Sequence, residues 1–179
     1  MKIIEWLKKS PIVNKNGYNY IIHPITDGIP YIEAKMLEEV VEEIKKDMPK
    51  VDKIVTMEAM GIPIATSLSL KTGIPFNIIR KRKYGLPGEI EVSQKTGYSE
   101  AKLYINGIEK GESIVIVDDV LSTGGTLKAV VNALKNVAEI KGIYIAICKG
   151  NKKEIEEEIG MKIHTIVDIK VGKDEVEIL

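Results

Sequence analysis

The segment that most limits what this chain can become is Ile114–Val115–Ile116–Val117–Asp118–Asp119–Val120–Leu121–Ser122–Thr123–Gly124–Gly125–Thr126. Its unbroken apolar opening predicts a strand over 113–117 that is covered on both faces. After the turn, Leu127, Val130, Val131 and Leu134 recur at helical spacing. Strand, acidic pair, small-residue turn and helix place the turn beyond the carboxyl edge of a sheet, where open α/β sheets bind ligands. A helix start offers unpaired amides and a positive dipole end, which suit an anionic phosphate. Gly124 and Gly125 let the backbone approach without Cβ obstruction, and the hydroxyls of Ser122, Thr123 and Thr126 can donate to phosphate oxygens. The plainer alternative is a tight βα turn with Thr126 as helix cap. Asp118 and Asp119 weigh against it, because adjacent carboxylates repel and are poorly explained by packing. A cation such as Mg²⁺, or a carbocation developing in a reaction, explains both.

The rest of the chain repeats the same rhythm. Met36, Leu37, Val40, Val41, Ile44 and Met48 form a helical stripe that Pro49 ends. Further strands are predicted over 53–57, 74–79, 142–148 and 163–169, and helices over 62–71, 126–138 and 152–159. Right-handed helical crossovers between parallel strands give an α/β fold with a doubly wound, mainly parallel sheet. Residues 83–101, KYGLPGEIEVSQKTGYSEA, interrupt the rhythm with a long polar, glycine-containing stretch; such loops serve as lids or stay disordered. The first 30 residues also lack the βα rhythm and are expected to form a small hood over the site. The whole chain, 1–179, is expected to be one domain.

Composition removes several function classes. The 26 basic and 26 acidic residues cancel and no basic stripe occurs, which argues against nucleic acid as a partner. No run reaches the ~18 apolar residues of a membrane span, so a cytoplasmic protein is expected. The single cysteine, Cys148, sits in an apolar strand pattern and reads as a buried thiol. Two histidines make no metal cluster. Neither Gly-x-x-x-x-Gly-Lys-Ser/Thr nor Gly-x-Gly-x-x-Gly is present, so the phosphate turn is of neither the Walker nor the dinucleotide kind.

Two acidic residues after a hydrophobic strand, then Thr123–Gly124–Gly125–Thr126, resemble the phosphoribosyl pyrophosphate motif of type I phosphoribosyltransferases. The likeness continues in Thr56–Met57–Glu58–Ala59–Met60–Gly61–Ile62, which is similar to the pyrophosphate-binding loop of the adenine and xanthine branches. It implies that Glu58, Ala59, Met60 and Gly61 bind the pyrophosphate; an ordinary βα loop is the alternative. Adenine enzymes commonly carry arginine in place of Met60. Arg80–Lys81–Arg82–Lys83 resembles the family's Arg-Lys pair, with Arg80 and Lys81 as the expected pyrophosphate contacts, which in this family can cross a dimer interface. The resemblance further implies Mg²⁺ as cofactor, Asp118 and Asp119 as catalytic residues and direct or indirect metal ligands, a lid over about 84–101 and a homodimer. Gln94 and Lys95 stand nearest the lid glutamate of the adenine branch.

Tyr18–Asn19–Tyr20–Ile21–Ile22–His23–Pro24–Ile25–Thr26–Asp27–Gly28 looks like the hood of archaeal hypoxanthine/guanine phosphoribosyltransferases, which the chain also matches in length and motif order. The implied partners are phosphoribosyl pyrophosphate and a 6-oxopurine. Lys149 follows the strand over 142–148, where the xanthine branch has a strand-end lysine. An ammonium donates and never accepts, so it suits O6 and opposes the 6-amino group of adenine; a solvated lysine before a turn is the bland alternative. His23 either donates to the purine or caps the hood. Two other readings stay open: a sibling enzyme for adenine, xanthine or orotate, and a non-catalytic sensor of phosphoribosyl pyrophosphate. The sensor would need a basic DNA-reading element, and the only long helix before the first predicted strand carries Glu38, Glu39, Glu42 and Glu43.

Overall fold

In the computed structural model, which describes residues 1–95 and 100–179, the segment expected to form the hood is made of helix α1 (Lys2–Leu7), a hairpin of β1 (Ile12–Lys15) and β2 (Tyr18–Ile21), and the single turn α2 (Pro24–Asp27). Then follow α3 (Ala34–Asp47), β3 (Lys53–Met57), α4 (Gly61–Thr72), β4 (Phe76–Ile79), β5 (Ile90–Lys95), β6 (Glu100–Ile105) and β7 (Ser113–Leu121). The chain closes with α5 (Gly125–Leu134), β8 (Glu139–Cys148), α6 (Lys152–Ile159), β9 (His164–Val171) and β10 (Val176–Ile178).

The main sheet runs β10-β9-β8-β7-β3-β4, parallel except for the antiparallel edge strand β10. Alternation along the strands sorts the core into two layers. Ile54, Val115, Val117, Tyr144 and Ala146 pack against α1, α3 and α4, whereas Val55, Ile114, Ile116, Ile143 and Ile145 pack against α5 and α6. Both faces are therefore covered, as the unbroken apolar runs require. Because β3 has β4 on one side and β7 on the other, the strand order reverses at β3 and opens a crevice at the carboxyl ends of β3 and β7.

Three expectations need correction. The central strand was expected over 113–117, but β7 continues to Leu121, since β8 stays in register with it through Asp118↔Ile145, Val120↔Ile147 and Leu121↔Cys148. The acidic pair thus lies within a strand and not after one. Helix α5 stops at Leu134 instead of 138, as β8 starts pairing early, at Ser113↔Glu139. The stretch over 83–101 is partly regular: β5 and β6 form an antiparallel hairpin whose Val92, Leu103 and Ile105 are buried beside α5. Intervening polar residues mask that period-two pattern in the sequence. The tip of the expected lid, residues 96–99, lies outside the described residues.

Cys148 is buried, and its thiol donates to the Gly150 carbonyl at 3.5 Å. Among the described residues no helix is long and apolar enough to cross a membrane.

Candidate active site

The turn after β7 occupies the crevice. Residues 122–124 connect β7 to α5, and Gly124 has φ 79°, the left-handed region that glycine reaches without strain. A Cβ there would also lie 2.8 Å from Ile155 Cδ1. Among the described residues no side chain caps the start of α5, so the amides of its first turn are free to take an anion. The Thr126 hydroxyl is engaged, donating to Gln94 Oε1 at 2.7 Å from the β5–β6 hairpin. Ser122, Thr123, Gly124, Gly125 and Thr126 share a cavity of about 390 Å³ with Asp118, Asp119, Glu58, Lys81 and Gln94.

Asp119 is only 7% exposed, and its backbone N–H donates to Asp118 Oδ1 at 2.9 Å. Among the described residues no cation lies within salt-bridge distance of either carboxylate. Burial pushes both carboxyls above the usual carboxylate range, and the charge of Asp118 raises Asp119 further. The pair is thus set to attract positive charge.

Gly61, the first residue of α4, backs onto this pair. A Cβ at that position would overlap the hydroxyl of Thr56 and stand 2.9 Å from Asp118 Oδ1. Thr56 is fully buried, and its Oγ1 has no hydrogen-bond partner among the described residues. Gly61→Ala is therefore expected to displace Asp118 or the start of α4, costing about 1–3 kcal/mol of stability, the scale of overpacking, and about tenfold in turnover, the rate equivalent of ~1.4 kcal/mol. Urea unfolding and steady-state rates on one preparation check this, and parental values in both would refute the crowding argument.

The loop after β3 joins the basic strand end through Glu58. Its carboxylate accepts from the Lys81 backbone N–H at 2.7 Å and from Arg80 Nε at 3.0 Å. These contacts, the Lys81 amide first, hold Glu58 below the ordinary glutamate range. The Glu58–Ala59 peptide is cis. Lys81 lines the cavity, whereas the Arg80 guanidinium pairs with Glu58 and Arg82 lies over the Tyr84 ring. Ala59 is exposed at the loop. The Met60 methyl sits beside Gly28 of the hood, 3.6 Å from where a Cβ would be.

Lys149 directly follows β8, and its backbone N–H donates to Leu121 O at 2.8 Å, fixing it next to the β7 end. Its Nζ stands 4.6 Å from the centroid of the Tyr20 ring. Burial lowers the Lys149 pKa, while the nearby charges of Asp27 and Asp119 oppose that shift. His23 is spent on structure: Nδ1 accepts from the Ile25 N–H at 3.1 Å, which leaves Nε2 to donate to Ile3 O at 3.0 Å. Sequence reasoning missed Tyr20, Asp27 and Thr56. The first two reach the site only through long-range packing of the hood, and Thr56 reads as an ordinary strand residue.

Residues 31–178 match the phosphoribosyl transferase domain. The chain is 57% identical to the hypoxanthine/guanine phosphoribosyltransferase of Methanocaldococcus infernus, covering 99% of this chain and 100% of the relative. It is 50% identical to that of Methanothermus fervidus, over 99% and 96%. Among solved structures, adenine phosphoribosyltransferase from Thermoanaerobacter pseudethanolicus superposes with a TM-score of 0.76 at 21% identity, covering 93% of this chain and 98% of that one. The Saccharomyces cerevisiae adenine enzyme gives 0.73 at 18%, over 92% and 96%. At those identities the structural likeness speaks for the fold alone. The match over most of the length, with half or more of the residues shared with whole relatives, establishes that the chain belongs to the phosphoribosyl transferase domain family.

Proposed function

We propose that the protein transfers 5-phosphoribose from phosphoribosyl pyrophosphate to hypoxanthine or guanine, forming IMP or GMP and pyrophosphate. One observation carries the reading: an acidic pair, Asp119 buried and Asp118 partly so, with no cation in salt-bridge contact among the described residues, shares one cavity with the open amide turn at 122–126. The choice of base follows the relatives' names and the donor-only character of Lys149.

In this reaction purine N9 bonds to the anomeric carbon as the bond to the pyrophosphate oxygen breaks, the base releases its imidazole proton to solvent, and positive charge develops on the ribose. The turn at 122–126 holds the 5-phosphate through backbone N–H groups. Asp118 and Asp119 face the ribose and stabilise the developing charge. The loop from Glu58 to Gly61 takes the pyrophosphate on its amides; Lys81 neutralises it from within the cavity, and Arg80 from the same strand end. The ammonium of Lys149 donates to O6. The segment over about 84–101 acts as the lid that keeps water from the activated sugar.

The acidic pair fits Mg²⁺, which takes oxygen ligands and is commonly held by one or two carboxylates together with substrate phosphates. When bound, the ion neutralises pyrophosphate charge and fixes the sugar's orientation. The same reading makes the protein a cytoplasmic homodimer of single-domain subunits.

The test is a panel: purified protein with Mg²⁺, phosphoribosyl pyrophosphate and each of hypoxanthine, guanine, xanthine, adenine and orotate, with pyrophosphate release as readout. Release with hypoxanthine and guanine is expected; release with none would point to a non-catalytic sensor. Within that panel, Lys149→Glu is expected to raise the KM for hypoxanthine on the order of 100-fold, the scale of losing a charged hydrogen bond and facing O6 with a carboxylate. The KM for phosphoribosyl pyrophosphate should stay within about twofold, since the lysine touches no phosphate; equal losses in both would retire the assignment.

A further inference from the structure

We propose that Tyr20 is a positioning residue for base specificity: its ring face fixes the Lys149 ammonium while leaving the N–H donors of that group free for O6. The proposal rests on the reading of Lys149 as the O6 donor. A lysine head on four methylenes is mobile and strongly hydrated, so by itself it selects a base poorly. An ion pair would localise it but would also consume its donors. An aromatic face attracts the cation through the ring quadrupole without occupying a particular N–H. The Nζ lies 4.6 Å from the Tyr20 centroid, within the range of that attraction.

The ring is itself held. Its hydroxyl donates to Asp27 Oδ1 at 3.2 Å, and Asp27 is fixed by the His23 backbone N–H at 2.9 Å and the Thr26 hydroxyl at 2.6 Å. His23 ties this turn to α1 through the Ile3 carbonyl at 3.0 Å, deep in the core. A chain of contacts therefore runs from α1 through the hood to the ammonium. Burial lowers the Lys149 pKa, and the nearby charge of Asp27 acts against that shift, toward the ammonium. A fixed ammonium meets the O6 acceptor of a 6-oxopurine and the amino group of adenine on unequal terms, and the hood becomes part of the discrimination.

A double-mutant cycle separates this role from simple packing or direct stacking on the purine. Tyr20→Leu is expected to raise the KM for hypoxanthine about tenfold, the scale of one desolvated cation–π contact. Turnover and the KM for phosphoribosyl pyrophosphate should move by less than about twofold, and Tyr20→Phe, which keeps the ring face, should recover most of the loss. In the Lys149→Met background, Tyr20→Leu should cause no further change. The same penalty in both backgrounds would overturn the proposal, as would a loss of phosphoribosyl pyrophosphate binding in Tyr20→Leu that Tyr20→Phe does not repair. If Lys149→Met alone leaves the KM for hypoxanthine unchanged, the O6 assignment falls and Tyr20 falls with it; if Lys149→Met raises it and Tyr20→Leu does not, Tyr20 falls alone.

Discussion

Asp119→Asn is expected to lower turnover by about 10²- to 10³-fold, the cost of removing one electrostatic stabiliser of a transition state, and at the same time to raise the melting temperature of the ligand-free protein. The two effects share one cause. Asp119 lies 7% exposed beside Asp118, with no cation in salt-bridge contact among the described residues. Such an arrangement costs folding energy until substrate charge arrives, and a neutral amide of the same shape removes that cost. On the usual scale of such relief, about 0.5–2 kcal/mol, the gain is a few degrees for a domain of this size. The sign with pH follows from the raised carboxyls. Between the ordinary aspartate value of about 3.9 and the raised folded value, the folded chain holds a proton that the unfolded chain has released, so stability falls as pH rises. Below about 4 both states are protonated and the penalty vanishes. The melting-temperature gap between variant and parent, measured in metal-free buffer, should therefore open as pH rises from about 4 to about 8. An Asn variant less stable than its parent at pH 7.5, or one with near-parental turnover, would contradict the account.

How far such features could be read from the sequence depended on the range of the contacts behind them. The run from Ile114 to Thr126 carries its own instructions: apolar continuity predicts a covered strand, and the small-residue turn before a helical stripe predicts open amides. Both are present in β7 and α5. The end of β7 is not legible locally, because two carboxylates look like a stop, whereas pairing with β8, a segment some 30 residues onward, carries the strand through to Leu121. The β5–β6 hairpin was hidden for a similar reason, its few inward residues being diluted by Glu91, Ser93, Gln94 and Lys102. From the sequence Tyr20 and Asp27 read only as part of a hood, since their place beside Asp119 and Lys149 depends on packing across some 90 to 130 residues of chain. Local chemistry was legible; the partners that tune it were not.

Gly125→Val is expected to abolish detectable transfer, a loss greater than about 10²-fold on the scale of losing oxyanion donors, with stability kept within about 1 kcal/mol. Position 125 is the first residue of α5, with an open amide end facing the cavity shared with Asp118 and Asp119. The three atoms nearest a Cβ there all belong to the Gln94 side chain, the closest being its terminal amide nitrogen, the movable end of a flexible group, and the two methyls of valine would cover the amides proposed to take the phosphate. By contrast, position 124 combines a left-handed φ with contact against Ile155, so substitution there would confound folding with function. Helix propensity does not oppose the change at 125, because valine is no worse than glycine within a helix. The decisive measurements are ribose 5-phosphate binding by calorimetry and the melting temperature, taken together on parent, Gly125→Ala and Gly125→Val. Binding should weaken in the order of side-chain size while melting temperatures stay close. Undiminished ribose 5-phosphate binding by the valine variant would remove the 5-phosphate from this turn and reopen the placement of every group aligned to it.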